Sequence, residues 1–403
     1  MLNQVIELPG SKSIATRLLI LRALGGKAVS IPGSLPDADD VQYLKQCLED
    51  TNERLYVGDG AAPLRFLLAW LAQRGEQKTI DGSEMLRRRP LRPLLKTLEE
   101  LGCKFLFPET PYQLPVRIVR GISPHYPFHV DVDARQSSQF ASALLLIAPC
   151  LSRGLEVEWT QDAVSQPYLN MTLSLMRHFG ISMGYSSTHA RIGPGRYAGS
   201  LDGIEADWSA AVFFLAWLSL LDEGELHFSN LAFSGLQADE AAAGFFSGWG
   251  LRFEEERGGM SVRQTGFRMQ QDLRLNLAGC PDLFPALVVF CALRGQDVCF
   301  EGLQNLQFKE SDRLGALREV LASCGVEAHA MHHANGRLDV TFGMSGFSPP
   351  VQFRLDPRGD HRLAMAFGLF AHCAPLELSD PDVVRKSFPG FWKLFLRMVL
   401  ASG

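Results

Sequence analysis

Six apolar runs punctuate the chain: SIATRLLILRAL, APLRFLLAWLA, SQFASALLLIAPCL, SAAVFFLAWLSLL, LFPALVVFCAL and RLAMAFGLFAHC. Each is apolar around most of its circumference, the pattern of a helix buried on all sides. Each stops near about 12 residues, too short to span a bilayer. Small polar or charged residues precede every run: Ser11-Lys12-Ser13, Gly58-Asp59-Gly60-Ala61, Ser137-Ser138-Gln139, Asp207-Trp208-Ser209, Pro281-Asp282 and Gly359-Asp360-His361-Arg362. A helix N-terminus presents unpaired N–H groups and a partial positive charge. Six such ends aimed at one place would bind a multiply anionic ligand.

The segments between the runs repeat as well. Glycines at Gly25-Gly26, Gly75, Gly154, Gly224 and Gly295 are expected to end the buried helices. Short strands follow: AVSI, KTID, LEVEW, ELHF, DVCF and LELS. A second, amphipathic helix comes next, as in RPLRPLLKTLEELG and SDRLGALREVLASCG, and then a strand pair such as VEAHAMHH–NGRLDVTF around Asn335-Gly336. The unit of buried helix, strand, surface helix and hairpin recurs at roughly 70-residue intervals. Unit one has no room for a full hairpin between Asp40 and Asp59. Unit six lacks its closing strand, which the opening VIELPG is expected to supply. The expected division is into two three-unit domains, residues 11–203 and residues 1–10 with 204–403.

A net charge of −5 over 403 residues argues against a nucleic-acid backbone as partner. The eight cysteines form no CxxC pair, and most sit inside apolar runs such as VVFC, which points to free thiols in a reducing compartment rather than metal ligands. MLNQVIELPG lacks the basic-then-apolar pattern of a secretory leader, so a cytoplasmic location is expected.

Candidate chemistry gathers at the helix starts. Lys12, Ser13 and Arg17 can converge on one anion in the first turns of a helix. Ser137, Ser138 and Gln139 offer neutral donors at another start, where an ordinary N-cap is the plainer reading. Asp282 reads equally as an N-cap or a general base. Glu310 and Arg313 are three apart, on one helical face, and suit either a salt-bridged cap or a site. His361 and Arg362 open a wholly apolar helix, and Lys386 precedes the last one.

PGSKSIATR, DADD, RRP, SSQF, SQPY, Asp282, NLQFKESDR, GDHR and KSFPGF stand in the order and spacing of the 3-phosphoshikimate 1-carboxyvinyltransferase family, and the chain resembles it over nearly its whole length. The resemblance implies the enolpyruvyl transferase fold: an α/β architecture of two inside-out α/β barrels with buried parallel helices, three units per domain. It implies transfer of the enolpyruvyl group of phosphoenolpyruvate to the 5-hydroxyl of shikimate 3-phosphate, a step of the shikimate pathway toward chorismate and the aromatic amino acids. It implies a monomer that needs no metal or organic cofactor and takes small-molecule substrates, with no nucleic acid or membrane partner. The C-terminal domain would provide mainly the phosphoenolpyruvate and catalytic side, the N-terminal one mainly the shikimate 3-phosphate side.

Carried over residue by residue, the resemblance places Ser13, Arg17, Ser137, Ser138, Gln139, Ser165, Tyr168, Asn305 and Lys309 around shikimate 3-phosphate. It places Lys12, Asp59, Ala61, Arg89, Gln139, Arg313, His361, Arg362 and Lys386 around phosphoenolpyruvate. Asp282 would take the hydroxyl proton, Glu310 would protonate the methylene carbon, and Lys12 would share the proton work.

The family pattern at the second helix start is close to Asn-Ala-Gly-Thr-Ala-Met-Arg, and here it reads Asp59-Gly60-Ala61-Ala62-Pro63-Leu64-Arg65. Asp59 brings a negative charge and Ala61 a methyl in place of a glycine. The expectation is weakened phosphoenolpyruvate binding and reduced sensitivity to glyphosate. Two other readings are a non-catalytic relative that binds a phosphorylated ligand and the sister enzyme acting on UDP-N-acetylglucosamine. The sister family carries a Lys-Asn pair where this chain has Lys12-Ser13.

Overall fold

The computed structural model describes residues 2–160 and 165–402. The chain forms two compact units, Ser11–Ile204 and Met1–Gly10 with Glu205–Gly403, called here the first and second unit.

The first unit contains α1 (Lys12–Gly25), α2 (Asp39–Glu49), α3 (Ala61–Arg74), α4 (Glu84–Arg87), α5 (Arg92–Glu100), α6 (Gln139–Ile147) and α7 (Gln166–His178). The second contains α8 (Trp208–Leu220), α9 (Ala241–Gly248), α10 (Phe284–Arg294), α11 (Arg313–Ser323), α12 (His361–Gly368) and α13 (Phe391–Ser402). The six apolar runs are α1, α3, α6, α8, α10 and α12. Every residue of α8 is buried, and the same holds for α12. Burying a Leu or Phe fully is worth about 1.5–3 kcal/mol, so side chains such as Leu67, Phe213 and Phe290 anchor these helices inside. The surface helices bury one stripe only, as α5 does through Leu94, Leu95 and Leu98.

Each buried helix is bracketed by a pair of parallel strands. Residues 54–56 pair with 79–81 around α3, and 129–132 with 155–159 around α6. Residues 274–276 pair with 298–301 around α10, and 353–355 with 376–378 around α12. Antiparallel hairpins extend most of these sheets to four strands, for example in the order 274–276, 298–301, 338–343, 327–332. The alternating burial of Leu155–Trp159 shows one face turned to the core.

Three expectations need correction. The opening strand, Leu2–Ile6, does not complete the sixth repeat. It pairs in parallel with Gly224–Phe228 and supplies the leading strand for α8. The sixth repeat stops at a two-stranded sheet because the chain passes from 376–378 through the turn Pro381–Lys386 directly into α13. In the first unit, Gly199–Ser200 plays the equivalent part, pairing with Val29–Ser30 beside α1.

The glycines are the second correction. Gly75 and Gly295 do end α3 and α10 in the left-handed conformation. Gly154, with φ of 71°, lies in the turn beyond α6, where a Cβ would sit 2.0 Å from the Ile192 carbonyl oxygen. Gly224 opens a strand rather than capping a helix. The third correction concerns α11, which begins at Arg313 with Asp312 as its cap, accepting from the Gly315 N–H at 3.0 Å. Glu310 therefore lies in the bend before the helix and shares no helical face with Arg313.

Candidate active site

Each unit gathers functional side chains at the starts of its own buried helices. In the second unit, Asp207 caps α8 by accepting from the Ser209 N–H, and Asp360 caps α12 by accepting from the Arg362 N–H, both at 2.9 Å. The turn Pro281–Leu283 leads into α10. Arg362 donates from Nη2 to Ser209 Oγ at 2.9 Å and from Nη1 to the Ser209 carbonyl at 3.3 Å. Its Nη2 also lies 3.0 Å from Asp282 Oδ2, so the starts of α8, α10 and α12 meet.

Asp282 receives two more cations on Oδ1, Arg313 Nη1 at 2.8 Å and Lys309 Nζ at 3.2 Å. It caps no helix, since Cys280 and Leu283 occupy the cap positions around it. Burial opposes its charge, but Arg362, Lys309 and Arg313 outweigh burial and hold the carboxyl well below the usual range.

Arg313, 2% exposed, grips Asp360 with Nε at 2.7 Å from Oδ2 and Nη2 at 3.2 Å from Oδ1. Ser311 Oγ donates to the same Oδ2 at 3.1 Å. Glu310 stands beside this pair. Its Oε2 is 2.7 Å from His361 Nδ1 and its Oε1 is 3.2 Å from Lys386 Nζ. Burial would raise the Glu310 carboxyl, yet His361, Lys386 and Arg313 together hold it well below its ordinary value. Asn305, buried, stands at the start of the short turn Leu306–Phe308 that delivers Lys309 and Glu310.

In the first unit, Lys12 is the first residue of α1, and its Nζ is 2.9 Å from Asp40 Oδ2 at the start of α2. Arg17 ties α1 to α7 through Nε to Thr172 Oγ1 at 2.8 Å and Nη2 to the Tyr168 carbonyl at 3.1 Å. Its Nη1 donates to the Ser13 carbonyl at 2.8 Å. Burial pulls its guanidinium down to about 10, which leaves it charged at neutral pH. Ser165 starts α7 in the left-handed region with φ of 57°.

Arg65, inside α3, reaches the start of α6. Its Nη1 donates to Gln139 Oε1 at 2.6 Å and to Ser137 Oγ at 3.0 Å, and its Nη2 to the Pro90 carbonyl at 2.7 Å. The guanidinium sits over the Phe140 ring, 4.6 Å from its centroid. Burial, and then the charge of Arg89, hold it well below its ordinary value. Ser138 occupies the N-cap position of α6 but makes no side-chain cap bond. Ala61 is the first residue of α3. Asp59 accepts a hydrogen bond from Ser83 Oγ, which in turn caps α4 by accepting from the Leu86 N–H at 3.2 Å.

Four contributors were given no substrate or proton-transfer role by sequence reasoning: Asp40, Arg65, Ser209 and Asp360. Arg65 carried a usable signal, a lone charge within AAPLRFLLAWLA. Ser209 carried none beyond its place at a helix start. Among the described residues, two groups could hold a cation: His129, Asp131 and Glu158 on an exposed strand face, and Glu310, Asp360 and His361. In the second group Arg313 and Lys386 already neutralise the carboxylates, so a metal would have to displace them. No helix among the described residues is long and apolar enough to cross a membrane.

Comparison with known proteins gives a consistent result. The family model described as EPSP synthase (3-phosphoshikimate 1-carboxyvinyltransferase) matches residues 42–395. A 3-phosphoshikimate 1-carboxyvinyltransferase of Bacteroides fragilis is 32% identical over 398 residues, covering 97% of this chain and 94% of that protein. One from Syntrophobacter fumaroxidans is 34% identical over 420 residues, covering 98% and 96%. The solved EPSP synthase of Acinetobacter baumannii superposes with a TM-score of 0.73 at 18% identity, over 98% of this chain and 96% of that one. The enolpyruvyl transferase NikO of Streptomyces tendae superposes with a TM-score of 0.68 at 13% identity, over 98% and 94%. These two likenesses establish the enolpyruvyl transferase fold.

Proposed function

The chain belongs to the EPSP synthase family, and from that premise we propose that it transfers the enolpyruvyl group of phosphoenolpyruvate to the 5-hydroxyl of shikimate 3-phosphate and releases phosphate. Addition across the enol gives a tetrahedral intermediate, and elimination completes the step. Such a sequence needs a base at oxygen and an acid at carbon. The observation that carries the reading is the pair of half-buried carboxylates, Asp282 and Glu310, set among Lys309, Arg313, Arg362 and Lys386.

Asp282 is ionised, since three cations outweigh its burial, and a substrate anion that engages Lys309 or Arg362 raises its basicity toward the hydroxyl proton. Glu310 has to carry a proton when it acts as acid. Its carboxyl is low because His361, Lys386 and Arg313 surround it. A phosphate or carboxylate that engages Lys386 and Arg313 removes part of that stabilisation and adds negative charge, and both changes raise Glu310. Phosphoenolpyruvate would take Lys12, Arg89, Gln139, Arg313, His361, Arg362 and Lys386, with Asp59 and Ala61 in the adjoining loop. Shikimate 3-phosphate would take Ser13, Arg17, Ser137, Ser138, Gln139, Ser165, Tyr168, Asn305 and Lys309. Two polyanions repel, and a dense cationic set offsets that repulsion.

The Asp59 carboxylate accepts from Ser83 Oγ, and the reading is of a working enzyme with weakened phosphoenolpyruvate binding. A monomer in the cytoplasm completes the proposal. The test is phosphate release by the purified protein. Release that requires both shikimate 3-phosphate and phosphoenolpyruvate supports the function; no release with both present rejects it.

A further inference from the structure

The fourth helix start, Asp207-Trp208-Ser209, has no place in the residue assignments that the family resemblance provides. Its geometry gives it one. Ser209 is 5% exposed, and its hydroxyl and carbonyl oxygens both accept from the Arg362 guanidinium, at 2.9 and 3.3 Å. The Ser209 hydroxyl in turn donates to Asp207 Oδ1, which also accepts from the Ser209 N–H at 2.9 Å. With its proton committed to Asp207, the Ser209 oxygen presents a lone pair to Arg362.

Arg362 Nη2 thus has both Ser209 Oγ, at 2.9 Å, and Asp282 Oδ2, at 3.0 Å, within reach. We propose that Ser209, oriented by Asp207, is a positioning residue for the phosphoenolpyruvate site: it anchors Arg362 from the α8 side while Asp282 holds it from the α10 side. The proposal rests on the functional reading above. Without the hydroxyl, Nη2 loses its neutral acceptor on the α8 side and keeps the Asp282 carboxylate. Arg362 then keeps its tie to the carboxylate and loses a hold on the α8 side, so its set toward an incoming anion loosens. A guanidinium held in a planar, two-point geometry is what recognition of phosphate or carboxylate requires.

The test separates this role from a structural one. Ser209→Ala keeps the backbone N–H that Asp207 caps, so α8 retains its cap. The expected result is a rise of roughly tenfold in the KM for phosphoenolpyruvate, the effect of about 1.4 kcal/mol. The KM for shikimate 3-phosphate stays within about twofold, and the melting profile is essentially unchanged. Ser209→Thr, which restores the hydroxyl, brings the phosphoenolpyruvate KM back to within about threefold of the wild type. A Ser209→Ala enzyme with an unchanged phosphoenolpyruvate KM overturns the inference. So does a loss that falls equally on both substrates, or one that Ser209→Thr fails to rescue. A wild-type protein that releases no phosphate from the two substrates overturns the functional reading and this inference with it.

Discussion

Asp360 and Arg313 form a two-point ion pair that is closed to solvent, with Nε to Oδ2 at 2.7 Å and Nη2 to Oδ1 at 3.2 Å. Because Asp360 also accepts from the Arg362 N–H, one carboxylate fixes a side chain and the start of a helix together. Removing one partner of a buried pair leaves the other charge uncompensated. Asp360→Ala is expected to cost about 3–5 kcal/mol of unfolding free energy. Urea unfolding at neutral pH checks this, and a change below about 1 kcal/mol contradicts it.

The same cluster sets a pH dependence. Glu310 is held well below its ordinary 4.5, and Asp282 and Asp360 lie below their ordinary 3.8. A carboxyl depressed by folding contributes stability that is complete above the unfolded-state value and lost as pH falls through the folded one. Stability is therefore expected to be insensitive to these groups near neutrality and to decline below about pH 4.5. Glu310→Gln should show a shallower acid decline, measured by unfolding at pH 7 and at about pH 3.5. A decline as steep as that of the wild type sinks the assignment.

Arg65 is expected to matter although it lies within an apolar helix. Arg65→Ala removes the contacts to Ser137, Gln139 and Pro90 together. Hydrogen bonds to charged groups are worth about 1.5–3 kcal/mol each, so kcat/KM should fall at least tenfold. Lysine cannot reproduce the forked geometry, and Arg65→Lys should recover little. Steady-state kinetics on both variants read this directly. Full activity in Arg65→Lys contradicts the geometric argument.

At the Asp59–Ala62 loop, read from the sequence as a departure from the family pattern, Ala61→Gly is expected to raise sensitivity to glyphosate by at least about tenfold. Asp59→Asn should lower the KM for phosphoenolpyruvate while leaving that for shikimate 3-phosphate unchanged. An inhibitor titration and the two KM values check these. Equal glyphosate sensitivity of the wild type and the Ala61→Gly variant removes the steric role given to the methyl.

Much of the fold was legible because its unit is local. A wholly apolar helix, a strand and an amphipathic helix each show a periodicity that needs no knowledge of distant residues. The partner of the opening strand was not legible: Leu2–Ile6 pairs with Gly224–Phe228 across more than half the chain, and VIELPG matches any parallel edge equally well. The ionisable residues at the helix starts were legible through their clash with the apolar runs behind them. The part of Ser209 was not, because a residue in a capping turn looks the same whether it serves a helix alone or also holds a neighbouring arginine. The offset between Glu310 and Arg313 was missed for a related reason, since spacing alone does not say on which residue a helix begins.

The central claim is that Asp282 and Glu310 carry the proton transfers. The most direct measurement is phosphate release from shikimate 3-phosphate and phosphoenolpyruvate, run side by side for the wild type, Asp282→Ala and Glu310→Gln. The expected result is turnover by the wild type that depends on both substrates and a loss of at least about a hundredfold in each variant. Turnover near the wild-type rate in either variant would contradict the account.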